Sequence, residues 1–280
     1  MFQSFEAPAS RPPVAGRVAA LRAWLTEQQL AGYFVPHEDE YQGEYMPPSA
    51  ERLAWLTGFT GSAGAAIVLA NEAAVFVDGR YTLQVRDQTD LSVFTPEHLI
   101  ENPPGTWLKS RVSAGDRIGY DPRLITLAQT RRLEASCQEK GASFVPVEEN
   151  PIDRLWTDRP APPLAAVSLH PVELAGRSAG DKLAELSKLI AEKGADAAVL
   201  TQSDSIAWTF NIRGGDVPHT PVALSYAVLP ADGRPTLYID SRKLSNTVRD
   251  ALFSIAEIAE ETSLKTDLAR LGKAGAKVLD

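Results

Sequence analysis

Ala65-Ala66-Ile67-Val68-Leu69-Ala70-Asn71-Glu72-Ala73-Ala74-Val75-Phe76-Val77-Asp78-Gly79-Arg80 is the stretch that decides the fold class. Two apolar runs, 65–69 and 74–77, flank the polar pair Asn71-Glu72, which is the pattern of a β-hairpin. Upstream, Val14, Val18, Leu21 and Leu25 recur at helical spacing in a run over 14–30, with Gly32 as its stop and Tyr33-Phe34-Val35 as the next strand. Downstream the pattern predicts a helix over 80–88, a strand at 92–94, a helix near 106–112 and a strand at 117–122. A helix over 126–139, stopped by Gly141, and a strand at 144–147 complete the series. Strands alternating with helices make a layered α/β domain, and the early hairpin makes its sheet mixed.

The pattern then recurs. A helical run over 183–191 leads to Gly194, then Ala197-Ala198-Val199-Leu200, Trp208-Thr209-Phe210-Asn211-Ile212, a longer hairpin (222–229, a turn at 231–233, then 236–239) and Ile239-Asp240-Ser241-Arg242. A helix over 242–252, a strand at 254–258 and a helix over 263–271 follow. Gly32 to Gly194 and Arg80 to Arg242 are both offsets of 162 residues. A domain-sized period reads as two related domains. The expected division is an N-terminal arm over 1–13, domain I over 14–158, a linker over 159–179 stiffened by Pro160, Pro162 and Pro163, and domain II over 180–280. Lys277-Val278-Leu279-Asp280 matches Ile118-Gly119-Tyr120-Asp121, so domain II is expected to be incomplete and the chain to be a fragment. The alternative is a shorter second domain closing on an edge strand.

The 280 residues carry a formal net charge of -8, with 44% hydrophobic and 23% charged residues. This is an ordinary globular composition for two domains, and its acidity argues against general nucleic-acid or membrane binding. The one cysteine, Cys137, leaves no internal disulfide and fits a reducing compartment. No stretch approaches the ~20 apolar residues of a membrane span, and Met1-Phe2-Gln3-Ser4-Phe5-Glu6 is unlike a signal peptide. A cytoplasmic protein is expected.

Few motifs carry chemistry. Gly58-x-x-Gly61-x-x-Gly64 lacks the spacing of a dinucleotide loop and reads as tight turns. His37-Glu38-Asp39-Glu40 lacks metal-ligand spacing and reads as a solvated acidic loop. His219 is either a contact or an exposed loop histidine. Cys137 has no evident activating partner, and no nucleophile elbow is present. At Asp78-Gly79-Arg80, either Asp78 caps the following helix with Arg80 exposed, or a fixed guanidinium at a strand end reaches out to a carbonyl or carboxylate.

Ser62-Ala63-Gly64 after Gly58-Phe59-Thr60-Gly61, Asp78-Gly79-Arg80-Tyr81, Glu149-Asn150-Pro151-Ile152-Asp153 and Leu155-Trp156-Thr157-Asp158-Arg159-Pro160 resemble the first N-terminal domain and interdomain junction of Xaa-Pro aminopeptidases (aminopeptidase P). Ile206-Ala207-Trp208-Thr209-Phe210-Asn211-Ile212-Arg213-Gly214, Asp216-Val217, Pro221 and Ser225-Tyr226-Ala227 resemble the second. The resemblance implies two creatinase/prolidase-type N-terminal domains of a three-domain, metal-dependent hydrolase that removes the residue preceding proline. It implies two divalent metals, often manganese, bound by two Asp, one His and two Glu of a C-terminal pita-bread domain that this chain lacks. No catalytic residue, metal ligand or cofactor is therefore expected here, and the chain alone is expected to be inactive. Arg80 holds the place of an arginine that contacts bound peptide, Arg213 and His219 are further candidate substrate contacts, and the loop from Arg213 to Pro221 is expected to face the catalytic domain. The implied partners are a peptide with proline second, the chain's own catalytic domain and a second copy of the parent. A creatinase or prolidase relative, or a non-enzymatic binding or assembly module of this fold, are the alternatives.

Overall fold

The computed structural model describes residues 13–279. Apart from Pro13, the expected arm lies outside the described residues. Two compact units emerge. The first comprises the described residues up to Asp39 together with Pro48–Pro160, and the second Glu40–Pro47 together with the described residues from Ala161.

In the first unit α1 (Val14–Glu27), β1 (Gly32–Pro36), α2 (Arg52–Thr57), β2 (Gly64–Leu69), β3 (Ala73–Val77), α3 (Gln84–Gln88), β4 (Thr95–His98), α4 (Pro104–Lys109), β5 (Arg117–Tyr120), α5 (Leu127–Gln138), β6 (Ser143–Pro146) and α6 (Pro151–Leu155) follow in chain order. The six strands form one sheet, ordered β4-β3-β2-β1-β5-β6. Only β2 runs against its neighbours; β1, β3, β4, β5 and β6 all point the same way. Tyr33, Val35, Ala66, Val68, Val75 and Val77 join Val14, Val18, Leu21 and Leu25 of α1 on one face. Phe34, Ile67 and Phe76 join Trp107 and Leu108 of α4 and Leu133 of α5 on the other. With both faces covered, the central strands need unbroken apolar runs, which is why the hairpin reads so clearly in sequence. Each large side chain buried this fully contributes about 1.5–3 kcal/mol.

Several boundaries differ from expectation, each for a local reason. Helix α1 ends at Glu27, and the chain reverses at Gln29, whose φ is 54°. Gly32 is therefore not the stop. It opens β1, where an added Cβ would lie 2.4 Å from Leu69 Cδ2 and 2.9 Å from the Val68 carbonyl oxygen. The strand expected at 92–94 is a turn, because the Asp90 carboxylate accepts Ser92 N–H at 3.0 Å; β4 starts at Thr95. Helix α3 starts at Gln84 rather than Arg80, because Asp78 draws residues 79–81 into a turn.

The second unit carries β7 (Ser168–Leu169), α7 (Val172–Ala175), α8 (Ala179–Glu192), β8 (Ala197–Leu200), α9 (Ser203–Phe210), β9 (Ile212–Arg213), β10 (Tyr226–Pro230), β11 (Thr236–Tyr238), α10 (Asn246–Phe253), β12 (Glu257–Ala259), α11 (Leu264–Lys273) and β13 (Val278–Leu279). Its main sheet is ordered β12-β11-β10-β8-β13, the order of the first five strands of the other unit, with no counterpart of β6 among the described residues. Leu183, Ile190, Ile206, Phe210, Leu237, Val248 and Leu252 form its core. Residues expected to be linker carry β7, which pairs with β9, and buried Val167. The helix expected over 242–252 is split. A short 3-10 turn at Ser241–Lys243 precedes α10, which Ser245 caps through Val248 N–H. The strand expected at 254–258 begins at Glu257, since Ser254 still closes the helix onto the Asp250 carbonyl. Segment Glu40–Pro47 belongs here: Tyr41 stacks on Tyr226 at 4.7 Å and donates to Glu261 Oε2 at 3.1 Å.

Candidate functional site

Open α/β sheets gather ligands at the carboxyl ends of their parallel strands. In the first unit that edge holds Asp78-Gly79-Arg80 after β3, His98 at the end of β4 and Asp121-Pro122-Arg123 after β5. Asp78 Oδ1 accepts Arg80 N–H at 2.9 Å, and its carboxylate takes Arg80 Nε at 3.1–3.2 Å and Nη2 at 2.8 Å. The Arg80 side chain is nevertheless 60% exposed. Hydrogen bonding from Arg80 holds the Asp78 carboxyl below its ordinary range, against a smaller desolvation cost. The corner thus presents a charged donor set whose direction is fixed by its own carboxylate.

Tyr81 supports the corner. Its ring meets Phe59 edge-on at 5.5 Å, its hydroxyl lies 2.9 Å from Ser62 Oγ, and Arg80 sits 5.1 Å over its ring. The three glycines before it have separate steric reasons. Gly58 ends α2 with φ 84°, a Cβ on Gly61 would strike Phe59 Cζ at 2.3 Å, and one on Gly64 would approach the Phe76 carbonyl at 2.8 Å. Gly79 has no such need, since the nearest atom to an added Cβ is His98 Nε2 at 3.7 Å.

The same corner occurs elsewhere. Asp240 takes Arg242 Nε at 2.9–3.2 Å and Nη2 at 2.6 Å, with Arg242 70% exposed. Arg242 holds the Asp240 carboxyl down to about 2. Buried Asp121 takes Arg123 Nε at 3.0 Å and Nη2 at 2.7 Å, and Asn150 Nδ2 at 3.0 Å. Glycine, proline and serine all serve at the middle position, so the turn is set by the Asp–Arg pair. Sequence reading missed the Asp121 corner, although the same spacing after a strand was its signal.

The other candidates lie in the second unit. Arg213 Nη1 donates to the Ala207 and Ile212 carbonyls at 3.2 and 2.8 Å. His219 is exposed at φ 60° beside the Val217–Thr220 bridge. Beneath that loop lies a pair missed in sequence: Lys243 Nζ contacts Asp216 Oδ2 at 2.8 Å, both side chains being almost wholly buried. Buried Lys182 was also missed. Its Nζ donates to Asn211 Oδ1 at 2.6 Å and lies 4.4 Å over the Trp208 ring.

The acidic loop is not solvated: His37 and Asp39 are 7% and 1% exposed. Burial, then Glu134, pushes the Cys137 thiol up to about 11, far from a reactive thiolate. Among the described residues no group of three or more His, Cys, Asp or Glu side chains converges on a metal-sized site. The dinuclear ligand set implied by the resemblance does not fit this chain's residues, and no chemical step is assigned through it.

A family model described as the Creatinase/Prolidase N-terminal domain matches residues 17–155, and a second of the same description matches 158–280. The chain belongs to the creatinase/prolidase N-terminal domain family. It carries two such domains in tandem, each a mixed sheet with flanking helices. It is 38% identical over 260 residues to a probable Xaa-Pro aminopeptidase P of Paracoccidioides brasiliensis (strain Pb03), covering 92% of this chain and 42% of that protein. It is 37% identical over 270 residues to the protein of the same name from Ajellomyces dermatitidis (strain ER-3), covering 94% and 43%. The crystal structure of X-prolyl aminopeptidase from Caenorhabditis elegans, described as a cytosolic enzyme with a di-nuclear active site, superposes with a TM-score of 0.89 at 27% identity, over 93% of this chain and 44% of that one. The chain thus spans less than half the length of these relatives.

Proposed function

We propose that these two creatinase/prolidase-type domains are the N-terminal part of a metal-dependent Xaa-Pro aminopeptidase, a hydrolase that removes the N-terminal residue preceding proline. The observation that carries the reading is the Arg80 corner: a guanidinium locked by Asp78 on a side chain 60% exposed, at the sheet edge where such folds take ligands. The 38% identity to a probable Xaa-Pro aminopeptidase P over nearly the whole chain supports it. Arg80 donates to a carbonyl or terminal carboxylate of the bound peptide, and both domains wall the cleft against long or folded polypeptides. The loop from Arg213 to Pro221 faces the catalytic domain. Two divalent ions, manganese in this reading, sit in a C-terminal pita-bread domain and supply the activated water. The parent is cytoplasmic and homodimeric. The described helices include none long and apolar enough to cross a membrane.

In this reading the chain alone has no peptidase activity, because the metal ligands belong to the C-terminal domain. The test assays residues 1–280 and a longer protein read past Asp280 on a proline-second peptide with added manganese. Turnover is expected from the longer protein only. Metal-dependent turnover by the chain itself, free of contaminating peptidase, contradicts the reading.

A further inference from the structure

The first unit contains a cleft of about 390 Å³, at the carboxyl edge and on the face covered by α4 and α5. This falls in the range of small-ligand sites and has room for on the order of a dozen waters at ~30 Å³ each. Its walls are apolar: Phe34 of β1, Leu99 after β4, Leu133 of α5 and the Pro103-Pro104 pair opening α4. Two charges of opposite sign line it. Glu38 lies two residues beyond the end of β1. Arg132 lies about 7 Å along α5 from its first residue, at ~1.5 Å per residue. Among the described residues neither charged group has an ion-pair partner, whereas the corner arginines Arg80 and Arg123 are each held by their own aspartate. The cleft is tight by design on its α4–α5 side, where a Cβ on Gly105 would strike Ser136 Oγ at 2.5 Å.

We propose that this cleft binds a small zwitterion with an apolar body, an apolar amino acid or dipeptide with free termini. Its ammonium goes to Glu38, its carboxylate to Arg132, and its side chain lies against Phe34, Leu99 and Leu133. A ligand with one charge makes only one of the two charge-assisted contacts, which makes the site selective for the zwitterion. The site stands apart from the Arg80 corner and does not depend on the peptidase reading.

The experiment titrates the 280-residue chain, isotopically labelled, with leucine and with leucyl-leucine to about 10 mM, the millimolar range of weak specific binding. Saturable amide shifts confined to β1, the residues after β4, α4 and α5 are expected for at least one of the two, and which one binds sets the ligand's size. Leucinamide and 4-methylpentanoate, each lacking one charge, should bind at least tenfold more weakly, as should leucine or the dipeptide to Glu38→Gln and Arg132→Ala. Arg132 is exposed and Glu38→Gln is nearly isosteric, so both variants should fold, with the unchanged remainder of the spectrum as the check. No saturable shift with either probe overturns the proposal, and so does equal binding by the single-charge analogues or by both variants.

Discussion

Lys243 Nζ lies 2.8 Å from Asp216 Oδ2, with 4% and 0% of the two side chains exposed. Asp216 also accepts the backbone N–H groups of Ala165 and Leu224, and Lys243 donates to the Leu224 carbonyl. The loop that presents His219 is therefore pinned at its base by a buried, hydrogen-bonded ion pair. Removing one partner strands the other charge, so Lys243→Met or Asp216→Asn should each cost roughly 3–5 kcal/mol in urea unfolding of the chain. The double variant should cost less than the sum of the singles. Single-variant losses under about 1 kcal/mol would show that water reaches the pair.

Glu261 introduces a pH dependence of definite sign. Burial raises its carboxyl above the ordinary value of 4.5, and Asp240 and Asp216 add to the rise; Lys243 and the Tyr41 hydroxyl oppose it. A raised carboxyl pKa makes the folded state hold its proton longer than the unfolded chain does. The folded state therefore loses stability as pH rises above about 4.5. Glu261→Gln keeps an acceptor for Tyr41 and removes that loss. Its melting temperature should exceed the parent's at pH 7, with the gap closing below pH ~4. A gap that stays constant across this range contradicts the assignment.

Two glycines in the first unit should respond oppositely to alanine. Gly32 faces the Val68 carbonyl oxygen, 2.9 Å from where a Cβ would sit, so Gly32→Ala should destabilise by about 1–3 kcal/mol. Gly16, exposed within α1, has nothing within 4 Å, so Gly16→Ala should stabilise by about 0.5–1 kcal/mol. Thermal melts of both variants check the pair. A tolerated Gly32→Ala would mean that β1 and β2 can separate without cost.

Cys137 should be chemically silent in the folded chain, being buried with its thiol pushed to about 11. Labelling with a thiol reagent at pH 8 should require denaturant. Rapid labelling of native protein would expose an opening of α5.

The hairpin and the domain duplication were legible because two-sided burial forces continuous apolar strands and because both sheets share one strand order. The exact 162-residue offset of the two glycines was partly coincidence. The residue that reverses the chain after α1 is Gln29, and its counterpart after α8 is Gly194, an offset of 165. Asp78 and Asp240 are 162 apart, so the second copy is three residues shorter between the reversal and the corner. Local side-chain bonds, such as Asp90 to Ser92, moved strand starts in ways that apolar periodicity does not register. The membership of Tyr41 in the second unit was illegible, since its stacking partner Tyr226 is far away in sequence. Arg80 was legible as a candidate, but its geometry alone does not separate it from Arg242, whose aspartate holds it in the same way.

That likeness makes one comparison the most direct test of the account. In the full-length aminopeptidase proposed above, Arg80→Ala and Arg242→Ala would remove equivalent corner arginines, and only the first should affect catalysis on a proline-second peptide. Losing a charge-assisted hydrogen bond to substrate, worth about 1.5–3 kcal/mol, should lower kcat/KM by roughly ten- to a hundredfold for Arg80→Ala. Arg242→Ala should stay within about twofold of the parent, since an exposed arginine away from substrate makes no differential contact with the transition state. Unchanged kinetics for Arg80→Ala on both short and longer peptides, or equal losses in the two variants, would contradict the role assigned to Arg80.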